Sequence, residues 1–429
     1  MPGKRSGSRR KAILIVVDGL TASAFEGAVG DRSTPTLSAL ANAGDYRRAT
    51  TVFPSLTPVC LTSLITGADP DVHHIPHLVW WHRGERRIVE YGSSFAAIRA
   101  AGTRRAIRDT IIGMNQEHLS PAATTLYEAA EDAGLVAAAI NITCYRGRSR
   151  HYPTVPGLVT PAFGPKRFFY YSLFESDPTG APLAVRNRAA GSIDEYAAAA
   201  GRWLVTRDGF DVLVYYLSDL DFASHVHGPD GVRDALRNVD RQVCALVDAA
   251  GGLDAFLDRY AIVLCSDHGQ TRIAETVRLQ ERLPASVLVT ASNRAAMLYG
   301  DDARGLARML DHVEGVDVAC FLEDGAVVAR RRGEENPSLL DEHPDGFARM
   351  RAALRNPNAG EVLVSAAAGW EFADLAGSHH AGGGSHGSLS AGDSVVPMLS
   401  IGAGEPPART VDVKGALLAA LGIVRAEAA

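Results

Sequence analysis

Thr57 opens an apolar stretch, TPVCLTSLITG, whose pattern predicts a helix ending near Gly67. The threonine stands where an N-cap belongs, and Pro58 where the first helical residue belongs. A hydroxyl there faces unpaired backbone N–H groups and the positive end of the helix dipole, a natural place for an anion. Threonine is also a common structural cap, so the hydroxyl takes chemical meaning only from its company. Four other stretches supply that company. Asp18 ends KAILIVVDG, and alone it would read as a turn residue before glycine. Asp267 and His268 are neighbours at the end of AIVLC, where a turning chain lets both reach one ion. Asp221 and His225 follow FDVLVYYL four residues apart, so one helical turn sets them on one face. His386 lies in GGGSHGS, where the backbone can bend around a ligand. Asp219 is the alternative to Asp221, His379 and His380 compete with His386, and Ser55 is a weaker nucleophile candidate two residues early.

Three Asp and three His delivered to one place would bind a cation. Mixed carboxylate and imidazole ligands suit zinc or manganese better than calcium or magnesium. Six ligands exceed what one tetrahedral zinc needs, so two ions are the economical reading.

The elements that must position them follow from the apolar runs. KAILIVV, FDVLVYYL and AIVLC are short and β-rich, and each runs into an acidic or His-containing turn. Further strands are predicted over 47–52, 135–140, 362–365 and 395–401, and helices over 35–43, 122–133, 192–205, 232–250 and 411–421. Strand, turn and helix in repetition point to an α/β fold. It would have a mostly parallel central sheet with helices on both faces and its site at the carboxyl ends of the strands. Residues 12–429 are expected to form one catalytic domain behind a basic, disordered arm at 1–11. Cap insertions are expected at about 76–120 and 146–190, and a small subdomain at about 286–331. Trp80, Trp81 and the aromatic run 168–171 are read as the cap's own core.

The 429 residues can bury a large core, and 46% hydrophobic with 21% charged residues is ordinary for a globular protein. A net charge of −6 argues against a general nucleic-acid binder. No apolar run reaches membrane-spanning length, and the start does not read as a signal peptide. Five scattered cysteines without C-x-x-C pairs are read as reduced, buried thiols of a cytoplasmic protein.

The order of motifs resembles the alkaline phosphatase superfamily, specifically its type I phosphodiesterase/nucleotide pyrophosphatase branch. The matching pieces are VVDG (16–19), FPSLTPVCLTSLITG (53–67) with PDVHHI (70–75), DLDFASHVHGPD (219–230), SDHG (266–269) and GSHG (384–387), spanning nearly the whole chain. The resemblance implies that Asp18, Thr57, Asp267 and His268 surround one zinc and that Asp221, His225 and His386 hold the other. Manganese is the alternative ion. Ions ~4 Å apart can clamp an in-line displacement at phosphorus. Thr57 would attack, a phospho-threonine would form, and water would hydrolyse it. The expected activity is hydrolysis of phosphodiester or pyrophosphate bonds in a small phosphorylated substrate.

Two residues depart from the family's pattern. The residue after the nucleophile is Pro58, which has no N–H, and Leu78 stands where the family has a phosphate-holding Asn. His74, His77, Asn115, Asn141, Arg146 and Arg148 are the candidate replacements. The rival activities are those of a phosphomutase and of a phosphonate or phosphomonoester hydrolase. A rival of another class is a metal-stabilised module that binds a phosphorylated partner without turnover. A sulfatase is disfavoured because Cys60-Leu61-Thr62 lacks the Cys-x-Pro-x-Arg context.

Overall fold

A computed structural model describes residues 10–154, 160–171, 173–176 and 192–423. The basic arm therefore lies outside the described residues up to position 9, as does most of the stretch from 172 to 191.

The strand Lys11–Val17 is buried along almost its whole length and pairs in parallel with Val212–Leu217 on one side and Tyr260–Cys265 on the other. Ala137–Ile140 and then Arg167–Tyr170 continue the parallel set. Its alternating side chains explain why the run is continuously apolar. Ala12, Leu14 and Val16 face one core, and Ile13, Ile15 and Val17 face the other. The helices Thr57–Thr66 and Val413–Ala420 cover the first face, and Ile193–Thr206 and Arg233–Ala249 the second. Among the described residues the central sheet has eight strands, mostly parallel, as expected for the α/β reading.

The edges were harder to foresee. Val395–Ile401 runs antiparallel to Tyr260–Cys265, and Asp45–Thr50 runs antiparallel to it in turn. Phe174–Ser176 closes the other edge, also antiparallel. Arg167–Tyr170 belongs to this sheet, so Phe168, Phe169 and Tyr170 are core of the central fold rather than core of a cap. Trp80 is fully buried in the hairpin Val79–His82/Arg87–Glu90, and Trp81 packs half-buried beside it. Residues 95–118 form two short helices and a π-helical segment, Asp109–His118.

A second sheet of six antiparallel strands is built from Leu288–Ser292, Ala295–Tyr299, Val362–Ala366, Val316–Glu323, Ala326–Arg331 and Glu334–Glu335. The turn of its first hairpin, Asn293-Arg294, is tied to the glycine-rich loop by a bond from the Arg294 N–H to the His386 carbonyl, 2.8 Å.

Candidate active site

The three central parallel strands, Lys11–Val17, Val212–Leu217 and Tyr260–Cys265, lead into Asp18, Asp221 and Asp267 just beyond their carboxyl ends. Asp18 follows Val17, and its N–H still bonds the Leu217 carbonyl at 2.9 Å. Gly19 adopts φ +67°, and a Cβ there would sit 2.7 Å from Asp221 Oδ1, so only glycine lets these two turns approach. Asp267 is fixed by its own turn, its Oδ1 accepting from the N–H groups of His268 (2.9 Å) and Gly19 (3.3 Å). Asp221 and His225 share the helix Asp219–His227, with His225 Nε2 3.2 Å from Asp221 Oδ2.

Thr57 differs from its expected role. The helix Thr57–Thr66 has Leu56 at its N-cap and Thr57 as its first residue, and no side chain caps it. The Thr57 hydroxyl is therefore not engaged in capping. It lies 3.0 Å from His268 Nε2. Ser55 is excluded as the nucleophile: it is fully buried, accepts from Arg349 Nη2 at 3.0 Å, and lies 3.0 Å from the Ser388 carbonyl.

The three histidines are oriented alike. His268 Nδ1 lies 3.0 Å from the Gly269 carbonyl, His225 Nδ1 2.8 Å from that of Gly384, and His386 Nδ1 2.8 Å from that of Ser55. A ring that donates from Nδ1 to a carbonyl presents an unprotonated Nε2, the lone pair a cation needs. His268 Nε2 stands 3.3 Å from Asp18 Oδ1 and 3.4 Å from Asp267 Oδ2. The His268 and His386 rings stack with centroids 3.6 Å apart, and His386 Nε2 is 3.9 Å from Asp221 Oδ1.

Two groups of ligand atoms, each within 4.8 Å of one another, emerge among the described residues: Asp18, Asp267 and His268, and Asp221, His268 and His386. The grouping differs from the sequence expectation in one respect. His268 stands between the groups, whereas His225 touches the second through Asp221 and lies with its ring 5.2 Å from that of His386. Asp18 Oδ1 and Asp267 Oδ2 are buried without a hydrogen-bond donor among the described residues. Burial pushes the Asp18 carboxyl well above the usual range, and the charges of Asp267 and Asp221 add to this. Burial raises Asp267 as well, against the pull of His268. Asp221 also resists burial, but His225, then His386 and His268, hold it below the usual range. Orphaned buried carboxylate oxygens beside lone-pair nitrogens fit divalent cations, which would remove both the repulsion and the missing bonds.

Several contacts escaped the sequence reading. Tyr216, from the strand Val212–Leu217, donates its buried hydroxyl to Asp18 Oδ2. Gln270 Nε2 donates to Asp221 Oδ1. Asn293 Nδ2 lies 2.9 Å from His386 Nε2. His380 stacks on His225 with centroids 4.0 Å apart, its Nδ1 3.0 Å from Oε2 of the buried Glu371, while His379 is exposed. Asp219 accepts from the Asp194 N–H at 3.3 Å.

The replacements considered for the missing phosphate donors are mostly committed elsewhere. His77 is held between the Val79 N–H and the Ala295 carbonyl, and burial lowers its pKa to about 4. Asn115 holds Thr143, Tyr145 and Arg146, and Asn141 holds Ile193 and Tyr171. Arg146 and Arg148 pair with Glu128, and Arg148 also with Asp132. Leu78 packs against the core.

The family profile described as type I phosphodiesterase/nucleotide pyrophosphatase matches residues 12–389. Among curated proteins no sequence gives a significant match. Phosphonoacetate hydrolase from Sinorhizobium meliloti 1021, solved with phosphonoformate, superposes with a TM-score of 0.64 at 18% identity over 96% of each chain. An inactive variant of murine ectonucleotide pyrophosphatase/phosphodiesterase 5, solved with AMP, gives 0.65 at 15% identity over 97% of this chain and 96% of that one. The human counterpart gives 0.63 at 15% identity over the same shares. These likenesses are of fold, and the profile match, which runs from the first strand through the His386 loop, adds the family. The chain belongs to the type I phosphodiesterase/nucleotide pyrophosphatase family of the alkaline phosphatase superfamily, and is an enzyme of the phosphoric-ester hydrolase type.

Proposed function

We propose that this protein hydrolyses phosphodiester or pyrophosphate bonds of a small phosphorylated substrate, with Thr57 as the nucleophile. The observation that carries the reading is the Thr57 hydroxyl, 3.0 Å from the one histidine shared by two cation-binding groups. Asp18, Thr57, Asp267 and His268 would hold one divalent cation, and Asp221, His225 and His386 the other. Zinc suits these nitrogen and oxygen ligands, with manganese as the alternative. Such ions supply Lewis acidity toward the phosphoryl oxygens and lower the pKa of a neighbouring hydroxyl.

The chain's own residues do the rest. The first turn of the helix Thr57–Thr66 holds the hydroxyl at the mouth of the sheet edge, and Cys60, Leu61 and Leu64 anchor that helix in the core. Thr57 Oγ, its proton passing to solvent, forms a bond to phosphorus as the bond to the leaving oxygen breaks, giving a phospho-threonine. Water then attacks the same phosphorus and returns the threonine. Tyr216 and Gln270 hold Asp18 and Asp221 in place, and the backbone carbonyls of Ser55, Gly269 and Gly384 fix the histidine tautomers.

A second reading, a phosphonate hydrolase on the same machinery, is supported by the similar fold of phosphonoacetate hydrolase. The five cysteines form no disulfide, four buried and Cys244 half-buried, which supports a cytoplasmic location. No helix among the described residues is long and apolar enough to cross a membrane.

The test is a panel of bis(p-nitrophenyl) phosphate, p-nitrophenyl phosphate and phosphonoacetate on the zinc-loaded protein, with Thr57→Ala beside it. Preferred turnover of the diester, lost by ~10³-fold or more in the variant, is the expected result. Preference for phosphonoacetate would install the second reading. Equal rates in parent and variant would remove Thr57 from its role.

A further inference from the structure

We propose that the Asn293 side-chain amide binds a non-bridging oxygen of the substrate's phosphoryl group. This rests on the hydrolase reading above and assigns a substrate contact that the sequence motifs do not contain. Asn293 sits at the turn between Leu288–Ser292 and Ala295–Tyr299, with φ +56°, a left-handed conformation that Asn tolerates better than most residues. It is only 6% exposed. Its backbone is clamped from both sides. Its carbonyl accepts from the Phe372 N–H at 2.6 Å, and the next N–H, of Arg294, bonds the His386 carbonyl at 2.8 Å. The side chain is oriented as well: Ser292 Oγ lies 3.3 Å from Oδ1, leaving Nδ2 aimed at His386 Nε2 at 2.9 Å. Because His386 Nδ1 faces the Ser55 carbonyl, Nε2 carries the lone pair, and the group facing it must be the NH₂ side of the amide.

That arrangement changes once the site is in use. His386 is a cation ligand in the proposed mechanism, and its Nε2 lone pair is then no longer an acceptor. A cation on that lone pair takes the place the NH₂ holds, so the Asn293 side chain turns aside and its NH₂ is left as a donor at the rim of the second cation group, without its former partner. The acceptor that the chemistry brings to that position is an anionic oxygen on phosphorus. Among the described residues the other side-chain amides considered for this role are committed elsewhere. Asn115 and Asn141 are committed to backbone groups, and Gln270 donates to Asp221. Pro58 has no N–H and Leu78 no polar group, so the need for a donor is unmet by the residues of the nucleophile segment.

The experiment measures binding of inorganic phosphate by calorimetry to the zinc-loaded parent, Asn293→Gly and Asn293→Asp, with zinc content and melting temperature recorded for each. Glycine keeps the positive φ and deletes the amide; aspartate keeps the shape and replaces the donor with an anionic acceptor. Loss of one hydrogen bond to a charged oxygen weakens phosphate binding about 10- to 100-fold. The expected result is that loss in the glycine variant and at least as much in the aspartate variant, with zinc content unchanged. On a diester, KM should rise along with any fall in kcat. Should the glycine variant melt early, unchanged phosphate affinity in the aspartate variant still overturns the assignment. Unchanged phosphate affinity with zinc retained overturns the assignment. So does loss of one zinc equivalent in the glycine variant, since that would make Asn293 a cation ligand. A parent that binds zinc but neither phosphate nor diester overturns the hydrolase reading and this inference together. A parent that turns over diester while both variants match it overturns the inference alone.

Discussion

Arg294→Met should destabilise the protein strongly, because it breaks a buried ion pair that ties together the two loops carrying His268 and His386. Arg294 and Asp393 are both fully buried, with Nη1 2.7 Å from Oδ1. Arg294 also donates to the carbonyls of Trp370 (3.0 Å) and Ala367 (2.9 Å). Asp393 accepts from Ser388 N and Oγ at 2.8 and 2.7 Å and from Thr271 Oγ1 at 2.5 Å. Its backbone carbonyl accepts from the Gly269 N–H at 2.8 Å. Methionine keeps much of the aliphatic stem but removes the cation, leaving a buried carboxylate that keeps its bonds from Ser388 and Thr271 but has no counter-charge. Removing one partner of such a pair costs ~3–5 kcal/mol, since desolvation of the other is no longer offset. Asp393→Asn removes the charge from the other side. The double variant should lose less than the two single losses summed, by ~1–3 kcal/mol, because neither charge is then stranded. Urea unfolding of zinc-saturated protein measures all three, read from midpoints at a common slope. A cost below ~1 kcal/mol for Arg294→Met, the range of an exposed pair, would refute the reasoning.

Other outcomes follow from the same geometry. Tyr216→Phe deletes the donor to Asp18 Oδ2 and should lower zinc affinity ~10- to 100-fold, measured by competition with a chromogenic chelator, with little change in fold. Unchanged affinity would mean that Asp18 needs no such support. Burial raises the Glu90 carboxyl to about 7 despite hydrogen bonds from Ser93 and Gly92. The folded protein therefore keeps a proton that the unfolded chain loses near its ordinary value of 4.5, and stability falls as pH rises from there to about 7. The full loss is about 3 kcal/mol at 1.36 kcal/mol per pH unit. Glu90→Gln, whose amide can still bond Ser93, should flatten that fall, so that the variant is the more stable protein at pH 8. Parallel urea midpoints for the two proteins at pH 5 and pH 8 would contradict this. Chelation should abolish diester turnover, zinc should restore it, and Asp267→Asn should not recover at any zinc concentration that restores the parent.

Much of the fold was legible because burial on both faces writes itself as unbroken apolar runs. KAILIVV and AIVLC have one reading as strands, and the acid that ends each has to sit at the sheet edge. The antiparallel strand Asp45–Thr50 starts two residues before the predicted 47–52, because its sequence, DYRRAT, is polar and half exposed and carries no apolar run. The aromatic run 168–171 reads as a cap's core because its neighbours in sequence are irregular, while the pairing of Arg167–Phe169 with Ala138–Ile140 is a long-range fact. At the site, the motif residues announced themselves by type. Their supports did not. Tyr216 reads as one more aromatic in VLVYYL, and only the pairing of that strand with Lys11–Val17 sets it against Asp18. Asn293 had a local signal, a Ser-Asn-Arg break between two β-rich runs that marks a turn, but nothing local says that the turn reaches His386. Thr57 stands one position further into its helix than the N-cap pattern predicts, and the difference frees its hydroxyl from capping.

The most direct measurement is acid quenching of the zinc-loaded enzyme during diester turnover, followed by mass spectrometry of its peptides. A phosphoryl adduct on Thr57, absent from Thr57→Ala, is the predicted result. An adduct on another residue, or steady turnover by Thr57→Ala at the parent's rate, would contradict a threonine nucleophile set between two cation sites.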